Sequence, residues 1–122
     1  MEDKKTILVV DDTAVNIDVL VGILRGIYKV KAAISGETAL KIAKKKPPDL
    51  ILLDIMMPEM DGYQVCEQLM ADPTTADVPV VFVTGMTDQA DQAKGIALGA
   101  KGYLTKPVDP EKVKAIAQKI LA

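Results

Sequence analysis

The segment Leu50–Asp54 reads LILLD, four apolar residues in succession followed by a carboxylate. Three other apolar runs also end at a polar residue: residues 7–10 before Asp11, residues 30–34 before Ser35, and residues 78–83 before Thr84. A weaker fifth run, residues 102–104, leads to Thr105 and Lys106. Continuous rather than alternating hydrophobicity is typical of strands that are covered on both faces, as in a parallel sheet.

Between these runs, apolar residues recur with the period of amphipathic helices. We predict a buried stripe in the first, third and fifth helices. The predicted stripes are Val15, Val19, Leu20, Ile23, Leu24 and Ile27 in the first helix, Val65, Cys66, Leu69 and Met70 in the third, and Val113, Ile116, Ala117, Ile120 and Leu121 in the fifth. Cys66 is accordingly predicted to be a core residue rather than a reactive thiol.

The fourth helix has the weakest pattern. Its apolar stripe is limited to Ala93, Ile96 and Ala97, and Gly95 and Gly99 each weaken a helix by up to about 1 kcal/mol relative to alanine. We therefore predict that this helix is the least stable element, with Thr87-Asp88 as its N-terminal cap.

The second helix is expected to open at Ser35-Gly36. The run Lys44-Lys45-Lys46 is the sequence's one candidate for a contact with a phosphate backbone. Its more ordinary interpretation is a cationic last helical turn that ends before Pro47 and Pro48.

Five strands alternating with five helices predict a (βα)5 chain: a doubly wound, parallel five-stranded sheet in a three-layer α/β/α arrangement. The chain has 122 residues and no linker-like composition, so residues 1–122 are predicted to form a single domain.

Composition excludes several classes of protein. The chain has 15 Lys plus Arg, 17 Asp plus Glu, one cysteine and no histidine. It can form no intramolecular disulfide, histidine-ligated metal site or Ser-His-Asp triad, and it carries no phosphohistidine of its own. The single cysteine suits a reducing compartment, so we predict a cytoplasmic protein. The slightly acidic balance and the lack of a long apolar segment predict that this domain binds neither nucleic acid nor membrane.

Polar residues follow the apolar runs at the predicted carboxyl ends of the strands. They are Asp11, Asp12, Asp54, Thr84 and Lys106. Ligands of open α/β sheets bind at this edge, so residues distant in sequence are expected to converge there. Carboxylates about 4 Å apart repel by about 4 kcal/mol per pair at an effective dielectric constant of 20, so a cation must offset them, and oxygen ligands suit Mg²⁺.

Together these residues carry a specific resemblance. Asp11-Asp12, Asp54 followed by Met57-Pro58 and Asp61-Gly62, Thr84, and Tyr103 with Lys106-Pro107 are similar in order and spacing to the receiver domain of two-component response regulators. The resemblance extends over essentially the whole chain. It implies a flavodoxin-like fold with strand order 2-1-3-4-5.

The resemblance also implies roles for individual residues. Asp54 would be the phosphoacceptor. Asp12 and Asp54, with the backbone carbonyl of Met56, would bind Mg²⁺, for which Mn²⁺ can substitute, and Asp11 would act mostly through water. Lys106 would pair with a phosphoryl oxygen, toward which Thr84 would be drawn, and the backbone N–H groups of Met56 and Gly85 would bind phosphate. Asp61-Gly62 is interpreted as turn and helix-start chemistry rather than as a ligand pair.

Other implications concern signalling. Tyr103 would be the switch aromatic, and the Lys106-Pro107 peptide would be cis. A sensor histidine kinase or phosphotransfer protein would supply the phosphoryl group. The surface formed by the fourth helix, fifth strand and fifth helix would then act on an output domain or protein, and phosphorylation-dependent homodimerisation stays open. Such a domain is no enzyme beyond its own phosphorylation and dephosphorylation. We expect the dephosphorylation to be slow, because Met56 and Met86 offer no good hydrogen bond to orient an attacking water.

The sequence allows alternatives. A receiver-like interaction module that works without phosphorylation is the most serious, although such modules usually lose an acid or the lysine. A flavin-binding carrier would need a Ser/Thr/Gly-rich phosphate loop after the first strand, where Asp11-Asp12 stands. A phosphatase with an aspartyl nucleophile would need a second acid at position 56, which is methionine.

Overall fold

A computed structural model describes residues 4–85 and 89–121, and five strands alternate with five helices in these ranges. The strands are β1 (Thr6–Val10), β2 (Lys29–Ala33), β3 (Leu50–Asp54), β4 (Val80–Thr84) and β5 (Gly102–Thr105). The helices are α1 (Ala14–Leu24), α2 (Gly36–Lys45), α3 (Gly62–Ala71), α4 (Gln89–Ala97) and α5 (Pro110–Leu121). The expected cap at Thr87-Asp88 lies outside the described residues, as does Met86.

The strands form one parallel sheet in the order 2-1-3-4-5, which confirms the predicted flavodoxin-like fold. One apolar layer packs α2 and α3 against the sheet, and a second packs α1 and α5 against its other face. The central strands β3 and β4 are buried throughout, as their continuous apolar runs predict. None of the helices in the two described ranges is long and apolar enough to cross a membrane.

Several local predictions are confirmed. The Ser35 side chain caps α2 by accepting a hydrogen bond from the Thr38 N–H at 3.2 Å. Asp61 caps α3 in a reciprocal capping box with Gln64, which confirms the helix-start interpretation. Helix α2 ends at Lys45, with basic residues in its last turn. Cys66 is fully buried in the core.

Strand β2 departs from the prediction of burial on both faces. Lys31 and Ala32 are exposed, and Ala33 is the strand's one fully buried residue. Ile34, predicted to end the strand, lies beyond it and is 65% exposed. The physical reason is that β2 is an edge strand, so less of its surface is covered than in β3 or β4.

The predicted stripe of α1 is wrong in part. Val15 and Val19 are 68% and 46% exposed, and the buried residues are Ile17, Leu20 and Leu24. Ile27 lies beyond the helix end. Because α1 carries apolar residues around most of its circumference, their spacing alone does not select the face that packs on the sheet.

Helix α4 is present as predicted, but its apolar stripe does not face the core. Ala93, Ile96 and Ala97 face outward, whereas Gly95 is buried. A Cβ atom at Gly95 would collide with the Tyr103 hydroxyl and lie 2.8 Å from the Phe82 ring. Gly95 therefore permits close packing of the helix on the sheet. Gly99 lies beyond the helix, with a positive φ of 103° that favours glycine.

Candidate functional site

Asp54 is the last residue of β3, so its side chain lies at the carboxyl edge of the sheet, and the residue is 3% exposed. The start of α3 packs directly behind it. The Gly62 N–H donates to the Ile55 carbonyl at 2.8 Å, and a Cβ atom at Gly62 would collide with the Asp54 backbone oxygen. Gly62 thus lets α3 approach the end of β3.

The two acids after β1 have different environments. Asp11 is 1% exposed, and its Oδ1 accepts hydrogen bonds from the Thr13 N–H at 2.9 Å and from Asn16 Nδ2 at 3.4 Å. Asp12 is exposed. The buried acid is therefore held in a fixed orientation, whereas the carboxylate of Asp12 is accessible from solvent.

Lys106 connects these strand ends. Its Nζ lies 2.9 Å from Asp11 Oδ2 and 3.2 Å from Asp54 Oδ1. The lysine backbone N–H donates to the Thr84 carbonyl at 2.8 Å, which fixes the β5–α5 loop beside β4. The peptide between Lys106 and Pro107 is cis, as predicted. The hydrogen bond between Lys106 and Asp11 was not predicted, because nothing in the sequence distinguishes the environment of Asp11 from that of Asp12.

Burial is the largest effect on Asp54 and raises the pKa of its carboxyl, as does the neighbouring Asp11 charge. Lys106 and a hydrogen bond from the Met56 backbone oppose this pKa rise. Burial lowers the pKa of Lys106, but hydrogen bonding to Asp11 and the two carboxylate charges outweigh it, so that this pKa is raised. The lysine is therefore held as an ammonium ion between two acids.

The acids form a group suited to a cation. One carboxylate oxygen from each of Asp11, Asp12 and Asp54 lies within 4.8 Å of the others. A single ammonium facing three carboxylates leaves net negative charge. Oxygen donors with such a charge fit a hard divalent cation, and the exposure of Asp12 gives an ion access from solvent.

The other predicted residues lie around this centre. Thr84 ends β4 with no exposed surface, one residue beyond the partner of Asp54 in the β3–β4 register. Gly85 follows it and is exposed, and Met56 is 68% exposed. Tyr103 is half-buried on β5, farther from the edge than Thr84, whose register partner is Thr105.

A row of aromatic rings extends from Tyr103 across the sheet. The Phe82 ring centroid lies 5.5 Å from that of Tyr103 and 5.4 Å from that of Tyr63. Lys94 Nζ of α4 sits 4.5 Å from the Tyr63 ring centroid. We define Tyr63, Phe82 and Tyr103 as the aromatic row. Sequence reasoning singled out Tyr103 alone, although the row contains three of the chain's four aromatic residues.

Comparison with known proteins identifies the family. The profile of the response regulator receiver domain matches residues 7–118. Response regulator PleD of Caulobacter vibrioides is 47% identical over 104 residues, 84% of this chain and 23% of PleD. The DNA-binding dual master transcriptional regulator RpaA of Synechocystis is 36% identical over 96% of this chain and 48% of its own length.

The chain thus spans about a quarter to a half of the length of these curated relatives. The crystal structure of a response regulator from Chloroflexus aurantiacus superimposes with a TM-score of 0.92 at 34% identity and covers 98% of each chain. The matched profile, these relatives and the shared fold agree with the arrangement of acids and lysine at the strand ends. The chain belongs to the response regulator receiver domain family, whose members are signalling domains of two-component systems.

Proposed function

We propose that Asp54 accepts a phosphoryl group from a phosphohistidine of a sensor histidine kinase or phosphotransfer protein. The observation that carries this proposal is a buried carboxylate whose oxygen lies 3.2 Å from an ammonium group at a sheet edge where two further acids meet. An Asp54 oxygen forms the new bond to phosphorus while the bond from phosphorus to the donor imidazole nitrogen breaks. Because the chain has no histidine, the donor histidine lies outside these 122 residues.

The acids also support a metal requirement. Asp12 and Asp54, with the backbone carbonyl of Met56, would hold Mg²⁺, and Mn²⁺ would substitute. Bound Mg²⁺ would neutralise charge on the transferring phosphoryl oxygens. Asp11 would contact the metal mostly through water. Its hydrogen bond from Lys106 supports a second role, which is to position the lysine.

The chain's own groups would stabilise the transferred phosphoryl group. Lys106 already lies beside the Asp54 carboxylate. After transfer, its ammonium group would bind a phosphoryl oxygen in place of the Asp54 oxygen. The Met56 N–H, which hydrogen-bonds to Asp54, and the Gly85 N–H would donate to other oxygens. The Thr84 hydroxyl would move toward the phosphoryl group.

Signal output would follow from Thr84 and Tyr103. Phosphorylation would shift the position of the Thr84 hydroxyl, then the orientation of Tyr103 in the aromatic row, and finally the conformation of the surface formed by α4, β5 and α5. The packing of Gly95 against Tyr103 supports this order of changes, because a movement of the tyrosine would alter the surface on which α4 packs. The relatives are longer and one is named a DNA-binding regulator, so an attached or separate output protein is the expected recipient, in the cytoplasm.

The proposal is tested by incubating the protein with acetyl phosphate and Mg²⁺ and measuring intact mass. We expect the wild-type protein to gain one phosphoryl group and Asp54→Asn to gain none. Asp49→Asn is the matched control: its carboxylate accepts a bond from the Thr6 N–H at the start of β1, and the variant should label normally. Undiminished labelling of Asp54→Asn would rule out the assignment.

A further inference from the structure

A second concave surface lies at the edge of the sheet, beside β2 and α2. This groove of about 510 Å³ is lined by Lys31, Ala32, Ile42, Lys45 and Lys46. The three lysines are exposed, and Ile42 is half-buried between them. Among the described residues, none of these lysines forms an ion pair, whereas the neighbouring Lys44 is paired with Asp72 at 3.7 Å. The groove therefore combines an apolar floor with positive charge that no acid in the described part of the chain pairs with.

The same place exposes an unpaired strand edge. In the described part of the chain, β2 pairs with β1 alone. The Lys29 N–H donates to the Lys5 carbonyl, and the Ala33 carbonyl accepts from the Asp11 N–H, so alternate residues of β2 bond toward β1. By this alternation, the N–H and C=O groups of Val30 and Ala32 point to the open side. An added strand would find two donors and two acceptors there.

We propose that this groove and strand edge bind an extended acidic segment of a partner protein, which adds as a further strand beside β2. Backbone hydrogen bonds to Val30 and Ala32 would supply affinity, and alternate side chains would supply specificity. Carboxylates on the face of the segment that meets α2 would lie near Lys31, Lys45 and Lys46, and the methylene groups of these acidic side chains would contact Ile42.

Charge and backbone together favour a peptide over other anions. Lysines on an edge strand oppose pairing with neutral or basic strands, which limits aggregation, and the same charges favour an acidic strand. A nucleic acid or an anionic lipid could neutralise the lysines but would leave the outward N–H and C=O groups of Val30 and Ala32 without strand partners.

The test is fluorescence anisotropy with a fluorescein-labelled octapeptide of alternating glutamate and valine. We expect saturable binding that weakens as salt is added. The triple variant Lys31→Glu, Lys45→Glu, Lys46→Glu should bind at least tenfold more weakly. The matched control Lys112→Glu, Lys114→Glu, Lys119→Glu makes the same charge change at exposed lysines of α5 and should bind within twofold of wild type. Circular dichroism checks that both variants are folded.

A second arm tests the strand edge without changing the protein. An octapeptide methylated at every backbone nitrogen keeps its carboxylates but cannot donate strand hydrogen bonds, and it should bind at least tenfold more weakly than the parent peptide. A single-stranded octathymidylate and phosphatidylserine vesicles serve as competing anions, and neither should displace the peptide at equal charge concentration. Absence of peptide binding, equal loss in both triple variants, equal binding of the methylated peptide, or displacement by either anion would overturn the proposal.

Discussion

At the scale of single residues, Lys106 sets the charge balance of the site. Its ammonium group contacts the carboxylates of Asp11 and Asp54, and both of these residues are almost wholly buried. Burial and mutual repulsion both favour protonation of Asp54, and the ammonium group opposes them. Under the proposed function, Lys106 thus helps to keep Asp54 ionised, as a nucleophile must be.

Replacing Lys106 with an uncharged residue should show how much its ammonium group stabilises the folded protein. We expect Lys106→Met, in metal-free buffer at pH 7, to lower the free energy of unfolding by about 2 kcal/mol, because two buried carboxylates lose their counter-charge while solvent reaching the lysine position screens part of the effect. Lys112→Met removes an exposed lysine and should change stability by less than about 0.5 kcal/mol. Chemical denaturation provides both values, and equal losses in the two variants would contradict the assigned role of Lys106.

Cys66 offers a separate test at the residue scale. Burial is the main cause that raises the pKa of its thiol to about 11, from 9.0. Because the folded state holds the proton more tightly, the thiol's contribution to stability is complete below pH 9 and is lost as the pH rises to 11. The stability advantage of wild type over Cys66→Ala should therefore shrink by up to about 2 kcal/mol across this range.

Parallel denaturation curves for the wild type and Cys66→Ala cancel the titration of tyrosines and lysines, which the two proteins share. A stability difference that stays constant from pH 8 to 11 would show that the thiol ionises as readily in the fold as in the unfolded chain.

At the scale of elements, α4 is positioned by two contacts with the aromatic row. Gly95 packs against Phe82 and Tyr103, and Lys94 lies above Tyr63. The outward residues Ala93, Ile96 and Ala97 form an apolar face, which belongs to the surface proposed for signal output. The glycine that weakens α4 as an isolated helix is therefore the residue that lets it approach the sheet.

The same substitution at two helical glycines should have opposite effects. Gly22→Ala in α1, where an added Cβ meets nothing within 4 Å, should raise stability by about 0.5 to 1 kcal/mol. Gly95→Ala should instead lower it by about 1 kcal/mol or more, because overpacking outweighs helix propensity. Removing the hydroxyl with Tyr103→Phe should recover part of this loss. Thermal or chemical unfolding of these variants gives the comparison, and a stabilising Gly95→Ala would refute the close packing.

The contrast between elements shows what the sequence can predict. Continuous apolar runs predicted β3 and β4 correctly, because a strand that is buried on both faces is apolar at nearly every position. Stripes predicted α3 and α5, where polar residues mark the outer face. In α1 the apolar residues are not confined to one face, so the stripe identified Leu20 and Leu24 but also the exposed Val15 and Val19. In α4 the buried residue, among those whose burial is described, is a glycine, which a hydrophobic pattern does not mark.

At the scale of the whole molecule, the parallel sheet gathers the site. Asp11, Asp54, Thr84 and Lys106 come from different strand ends, and the topology brings them to one edge. Their convergence could be predicted from the pattern of strands. The pairing of Lys106 with Asp11, the burial difference between Asp11 and Asp12, and the aromatic row could not, because they depend on side-chain packing across elements.

A switch across the molecule should be visible in amide exchange. We expect a phosphate mimic, beryllofluoride with Mg²⁺, to change exchange rates in residues 89–108, which include α4 and β5, while amides of β1 change little. Hydrogen exchange with mass spectrometry makes the comparison, and Asp54→Asn should abolish the effect. Unchanged rates in residues 89–108 of the wild type would contradict the proposed output surface.

The most direct test of phosphoryl transfer is the position of the acyl phosphate itself. After treatment with acetyl phosphate and Mg²⁺, borohydride reduction converts a phosphoaspartate to homoserine, which peptide mass spectrometry can locate. We predict homoserine at position 54, and none when Mg²⁺ is removed with a chelator. Homoserine at another acid, or none in the presence of Mg²⁺, would contradict Asp54 as the acceptor.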